Sequence, residues 1–189
     1  MLNWLLGKKD QAIRGEDSVW MSDAARLKGI PREVDRLGKD GRNVVVVAWT
    51  LPTFDDLARE LANHRPLLCR DLFGFDGLRS RLARARLVAV APADTLSSDV
   101  KPVTSVPVEI LVWGRNEMRS TDDAIVRFAD LIGANARVAF HLSLDDPPLK
   151  NYVGTLRQLF GRLDVPQEEA ISSPMVTRAI ARAQAKKKP

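Results

Sequence analysis

Four consecutive valines occupy positions 44–47, inside the run Asn43-Val-Val-Val-Val-Ala-Trp49. A strand with one wet face must alternate apolar and polar residues, because successive side chains point to opposite faces. An unbroken β-branched run fits a strand buried on both faces, the condition of a parallel sheet covered by helices. Leu87-Val-Ala-Val-Ala91 and Val108-Glu-Ile-Leu-Val-Trp113 repeat the pattern, and residues 138–144 and the short Leu67-Leu68-Cys69 complete an expected set of about five strands.

Helical spacing fills the intervals. Ala24, Leu27, Ile30, Val34 and Leu37 recur every three or four residues, with Ser22 as N-cap, and Pro31 is expected to break or restart that helix. Phe54, Leu57, Ala58 and Leu61 mark a second helix, expected to open at Thr53, where Thr53 and Asp56 form a T-x-x-D capping pair. Residues 75–83 read as an amphipathic helix, and Thr121-Asp-Asp-Ala opens another that runs through Leu131 and closes at Gly133. Strands alternating with helices predict parallel βαβ units and an open α/β sheet. Residues 93–107 form the longest irregular stretch, and 149–163 and 176–187 are helices after the sheet. The expected division is a weakly ordered or docking tail at 1–20, an α/β lobe at 21–146, and a helical extension with a basic tail at 147–189.

At 189 residues, 45% hydrophobic and 28% charged, the chain suffices for one domain with a real core. The net charge of +5 includes the terminal Lys186, Lys187 and Lys188, so a solvated surface with a basic tail is the expectation. Cys69 is the one cysteine, which excludes an intramolecular disulfide and a cysteine-based metal cluster and suits a reducing cytoplasm. Leu2, Trp4, Leu5 and Leu6 form an apolar start too short for a signal-peptide core, and Lys8-Lys9 follow it instead of preceding it. Docking on this protein or on a partner is its expected use. No apolar run approaches the roughly 20 residues of a membrane span.

The last third narrows the reading. Phe-His-Leu-Ser-Leu-Asp-Asp occupies 140–146, and Pro174, Val176, Thr177, Ala179, Ile180, Ala181, Ala183 and Gln184 follow within LRQLFGRLDVPQEEAISSPMVTRAIARAQAKKK from Leu156 onward. These stretches resemble the second nucleotide-binding lobe of the SecA preprotein-translocase motor family, where a strand ends F-Y-L-S-L-E-D and a later segment reads P-W-V-T-K-A-I-A-N-A-Q. Met175 stands for that tryptophan and Arg178 for that lysine. The resemblance implies a RecA-like three-layer fold with a mostly parallel sheet and a helical C-terminal extension.

It also implies an ATP motor, and here the residues depart from the pattern. No G-x-x-x-x-G-K-[ST] phosphate loop is present, though in the family that loop belongs to the other lobe. The second lobe's own Q-x-x-G-R-x-G-R aligns with Ala124, Arg127, Phe128, Asp130 and Leu131; a one-residue slip brings Arg127 to the first arginine and leaves the second unsupplied, and in the direct count Phe128 and Leu131 take the arginine positions. Neither offers the fork of donors that a developing phosphate charge requires. Loss of ATPase activity is the expectation, with no catalytic residue, cofactor or metal.

His64 and His141 are expected as packed or solvent-facing residues, and Asp145-Asp146 and Asp122-Asp123 as caps instead of cation ligands. Ser143 has no nucleophile context. Arg79, Arg81, Arg84 and Arg86 form a series in which Arg79 and Arg86 share a helix face, able to hold phosphates or acidic headgroups, although a solvated face is the simpler reading. The leading expectation is a non-catalytic, cytoplasmic interaction module, peripheral at the membrane, that binds a translocase component or a second copy of itself. The alternatives are a split nucleotide-dependent motor and a nucleic-acid binder. Partner contacts are expected at the carboxyl ends of the strands, at Thr50, Leu51, Ala91, Pro92 and Trp113, as an exposed apolar patch, with Arg79 and Arg86 as further candidates.

Overall fold

A computed structural model describes residues 13–15, 17–70, 78, 81–83, 86–96, 106–132, 135–172 and 174–186. Its centre is β3 (Asn43–Ala48), which pairs in parallel with β5 (Val88–Pro92) on one side and β6 (Val108–Trp113) on the other. The short β4 (Leu67–Leu68) lies beyond β5, and β7 (Ala136–Ser143) beyond β6. Past β7 come β1 (Ile13–Arg14) and β2 (Ser18–Trp20), both parallel to it, and then β8 (Ile171–Ser172), antiparallel to β2. The order is β4-β5-β3-β6-β7-β2-β8, with β1 also on β7. The expected parallel α/β sheet is therefore present, with eight strands among the described residues where about five were expected.

The valine run divides its side chains between two cores. Val44, Val46 and Ala48 pack with Ile30, Val34 and Leu37 of α1 (Asp23–Lys39) and with Phe54 and Leu57 of α2 (Leu51–Glu60). Val45 and Val47 face the other way, toward Ile125, Phe128, Ala129 and Ile132 of α3 (Arg119–Ile132). Leu156 and Phe160 of α4 (Val153–Arg162) and Val176 and Ile180 of α5 (Pro174–Lys186) join that second core. This is the three-layer arrangement that an unalternating strand demands.

Several boundaries differ from expectation. The segment read as a tail to residue 20 contains β1 and β2, and Val19 is fully buried, because backbone pairing with β7 recruits a stretch too short to show periodicity. Residues 147–186 share one core with the lobe and contribute β8, so they are not a separate appendage. α1 runs through Pro31 without ending, since burial of Ile30, Val34 and Leu37 outweighs one lost hydrogen bond. α2 starts one turn before Thr53: the Thr50 hydroxyl accepts from Thr53 N–H, and Pro52 occupies the first turn, where its missing donor is harmless. Ser22 caps α1 as expected, accepting from Ala25 N–H at 3.1 Å. Of the expected helix at 75–83 the described residues are Leu78 and 81–83, with helical backbone at Leu78, Arg81 and Leu82 and with Leu78 and Leu82 buried; the Gly133 cap and most of the 93–107 stretch lie outside the described residues.

Candidate functional site

β3 leaves the sheet through α2 toward the β4 side, whereas β6 leaves through α3 toward β7. The chain diverges at this pair, so the crevice at their carboxyl ends is the switch point where open α/β sheets bind ligands. Trp49 and Thr50 follow β3 there, and Gly114 and Arg115 follow β6. Trp49 Nε1 donates to the Gly114 carbonyl at 3.3 Å and ties the two ends together. Gly114 has φ +74°, and a Cβ there would stand 3.3 Å from both Arg26 Nη1 and Asp146 Oδ2. Glycine thus permits the left-handed turn and leaves room for an arginine to cross behind it.

That arginine is Arg26, projected from the first turns of α1 and 1% exposed. Its Nη1 donates to the His141 carbonyl at 2.8 Å and to Asp146 Oδ2 at 2.9 Å, and its Nη2 to Asp23 Oδ1 at 2.6 Å and Asp146 Oδ1 at 3.1 Å. The guanidinium lies over the Trp113 ring, 3.9 Å from its centroid. A second caged arginine follows β6. Arg115 Nε donates to both carboxylate oxygens of Asp17, at 3.1 and 3.2 Å, and Nη1 to Asp122 Oδ2 at 3.2 Å, while its plane covers Phe140 at 4.0 Å. Asp122 also accepts from Asn116 N–H at 2.9 Å and from Gln184 Nε2 at 2.7 Å. Gln184 belongs to α5, so the C-terminal helix is latched onto the carboxyl edge.

Burial raises the carboxyls of Asp122 and Asp146 above the usual range, against the opposing pull of their hydrogen bonds and arginines. His141 is buried and lowered to about 4, because desolvation penalises the imidazolium and Arg26 repels it, with Glu33 only partly opposing. Its Nδ1 accepts from Trp20 Nε1 at 3.2 Å. The forks of Arg26 and Arg115 are thus filled by carboxylates of the same chain. Chemically the arrangement sets two guanidinium groups among four carboxylates of the same chain.

The expected contact residues scatter. Thr50 and Leu51 are exposed, Leu51 by 57%, and Trp113 is half-buried beneath Arg26. Ala91 and Pro92 are buried in β5, beside Val47 and Ala48 of β3, and have no surface to give a partner. Among the described residues the carboxyl edge shows Leu51 exposed after β3 and Leu68 exposed at the end of β4, beside two half-buried tryptophans. Arg79 lies outside the described residues. Arg86 is not on a helix with it: it sits in a left-handed bend, φ +65°, before β5, at the opposite end of the sheet from Thr50. Phe128 is buried and Leu131 packs on the same core. Asp145 caps α1, accepting from Asp23 N–H at 2.9 Å, and Asp122 and Asp146 serve different arginines; no metal-binding group of three exists among the described residues. Sequence reasoning missed Arg26, Arg115, Asp17 and Gln184. The signal nearest to hand was an arginine directly after a strand-terminal Trp-Gly.

No protein-family model matches the sequence. Protein translocase subunit SecA of Burkholderia mallei is 36% identical over 187 residues, an alignment covering 90% of this chain and 19% of that protein. The chain is related to SecA. The SecA of Burkholderia thailandensis is 28% identical over 187 residues, covering 90% of this chain and 20% of its own length. The chain thus spans about a fifth of the SecA proteins it matches. Among solved structures, T4 UvsW superposes with a TM-score of 0.55 at 10% identity, over 96% of this chain and 40% of UvsW. The C-terminal part of the Fun30 ATPase domain gives 0.52 at 8% identity, over 86% of this chain and 54% of that one. These likenesses show the fold, a RecA-like lobe of the helicase type. Together with the SecA alignments they match the second motor lobe that the terminal motifs resemble.

Proposed function

We propose that this SecA-related lobe works without hydrolysing nucleotide, as an interaction or regulatory module linked to protein translocation. The observation that carries the reading is the fate of the arginine positions on α3. Phe128 is buried in the core and Leu131 packs against it, so neither position presents a donor. Of the arginines at the carboxyl edge, Arg26 and Arg115 are buried and engaged by carboxylates of this chain, and the exposed Arg119 at the start of α3 pairs with Asp123 at 3.7 Å. Hydrolysis needs guanidinium groups free to meet charge that develops on the phosphate. A RecA-like frame held shut by internal ion pairs is suited to docking instead. A translocase component is the first candidate partner and a second copy of the chain the other, at the cytoplasmic face of the membrane.

Purified protein is expected to show no ATP turnover above background, and no micromolar Mg²⁺-dependent affinity for ATP in a calorimetric titration. Turnover, alone or on mixing with a lobe that carries a phosphate loop, would overturn the proposal in favour of a split motor. Capture of the translocase by the tagged protein, lost on Leu51→Asp, would place the contact at the carboxyl edge.

A further inference from the structure

At the amino ends of the strands, a pocket of about 360 Å³ opens between the end of α1 and the start of β5. Lys39, Arg42 and Arg86 line it, with Asp35 and His64. Asp35 is taken by His64 Nε2 at 2.9 Å, and Arg42 has Glu109 at 3.4 Å. Among the described residues neither Lys39 nor Arg86 has a carboxylate within ion-pair distance. Two enclosed nitrogens line it as well: Arg42 Nη1, which makes no hydrogen bond and meets Glu109 only as an ion pair at 3.4 Å, and His64 Nδ1, which has no hydrogen-bond partner. A buried guanidinium N–H without a hydrogen bond is uncommon and marks a place where an acceptor on a ligand completes the set. The end of α1 does not oppose an anion with bare carbonyls: those of Arg36, Leu37 and Gly38 accept from the N–H groups of Asp40, Arg42 and Gly41.

Arg86 supplies the second, independent observation. Its backbone is left-handed, a conformation that suits glycine and penalises a residue with a Cβ. The bend is imposed from outside. Asn43, fully buried at the start of β3, accepts from Leu87 N–H at 2.8 Å and donates to the Leu82 carbonyl at 2.8 Å, gripping the chain on both sides of Arg86. A strained non-glycine residue persists where the surroundings over-determine it, and such residues gather at ligand clamps. Here the strained residue is the one that lends the pocket its guanidinium.

We propose that this pocket binds a phosphate group, clamped by Arg86 and Lys39 above Arg42. The guanidinium fork matches phosphate oxygens bidentately and the ammonium adds a point charge. The site lies at the far end of the sheet from the carboxyl-edge crevice, so it stands or falls independently of the function proposed above. Titration calorimetry with sodium pyrophosphate at low salt should show one site per chain. Arg86→Gly should weaken it at least tenfold while leaving the melting temperature equal or higher, because glycine accepts the bend. Lys39→Ala should weaken it without unfolding the protein. A single-stranded oligonucleotide that pyrophosphate displaces would identify a nucleic-acid backbone as the source of the phosphate, and pyrophosphate binding alone a small solute. ATP held without Mg²⁺ and released by Arg86→Gly would belong to this pocket, not to the crevice. Absence of pyrophosphate binding, or unchanged binding by Arg86→Gly, would overturn the proposal.

Discussion

Two residues concentrate the electrostatics of this chain. Arg115 is buried between Asp17 and Asp122, both themselves buried, and removing it leaves two carboxylates with, among the described residues, only the unbonded charge of Arg14 to offset them in a low-dielectric place. Breaking one side of such a pair costs about 3–5 kcal/mol. Arg115→Met is therefore expected to lower the unfolding free energy in urea by about that amount, and Arg115→Lys to recover only part, since an ammonium cannot span Asp17 and Asp122 together. His141 gives a pH signature with a definite sign. Its folded value, about 4, lies below the ordinary 6.5, so the neutral ring stabilises the fold above pH 6.5 and that contribution is lost as pH falls toward 4. At about 1.4 kcal/mol per unit the loss approaches about 3 kcal/mol. Asp122 and Asp146, raised by burial, act in the opposite sense and favour the fold as they protonate. Comparing denaturation at pH 7 and 4.5 with His141→Asn, whose Oδ1 can accept from Trp20, isolates the histidine. Equal pH slopes in the two proteins would refute the assignment.

Among the elements, α1 does the most to organise the site. It covers one face of the sheet, delivers Arg26 to the carboxyl edge, and meets β2 at Gly29, where an added Cβ would fall inside the Trp20 ring. Gly29→Ala must displace that ring and with it the hydrogen bond to His141, so a cost of about 2 kcal/mol is expected, together with a changed tryptophan emission. A variant as stable as the parent would show that the contact yields. α5 is held differently, through Gln184 on Asp122 and on the Asn116 carbonyl at 2.7 Å each. Gln184→Ala should accelerate amide exchange in α5 more than in α1, because a buried carboxylate loses a donor on that side alone. The strands were legible element by element: β3, β5, β6 and β7 all fall within a residue or two of the runs that announced them. The helix starts were less so. Thr50 caps α2 where Thr53 seemed to, because Pro52 fits the first turn as well as it fits a loop.

For the molecule as a whole, one core joins the lobe to residues 147–186: Leu149, Leu156, Phe160, Ile171, Val176 and Ile180 pack with β6, β7 and α3. Unfolding by urea is therefore expected as a single transition, coincident by circular dichroism and by tryptophan fluorescence. Two separated transitions would mean that the C-terminal helices form a unit of their own. The relation to SecA and the likeness to helicase-type lobes explain why such a sheet and such a C-terminal latch occur together, while the caged arginines and the buried Phe128 are what support the proposal of a lobe that works without hydrolysis.

What the sequence determined alone was the local physics. A run of valines cannot alternate, so it must be covered on both sides, and helical periods between such runs make the connections parallel. The terminal motifs carried the family likeness for the same reason, being contiguous. What only the tertiary structure decided were pairings between distant residues: Arg115 with Asp17, 98 positions away, and Arg26 with Asp146, 120 away. The same holds for the recruitment of Ser18–Trp20 into the sheet and the bend that aims Arg86. Charges carry no periodicity that foretells their partners. Which carboxylate meets which guanidinium follows from strand order and crossing points, and those exist only once the chain has closed on itself.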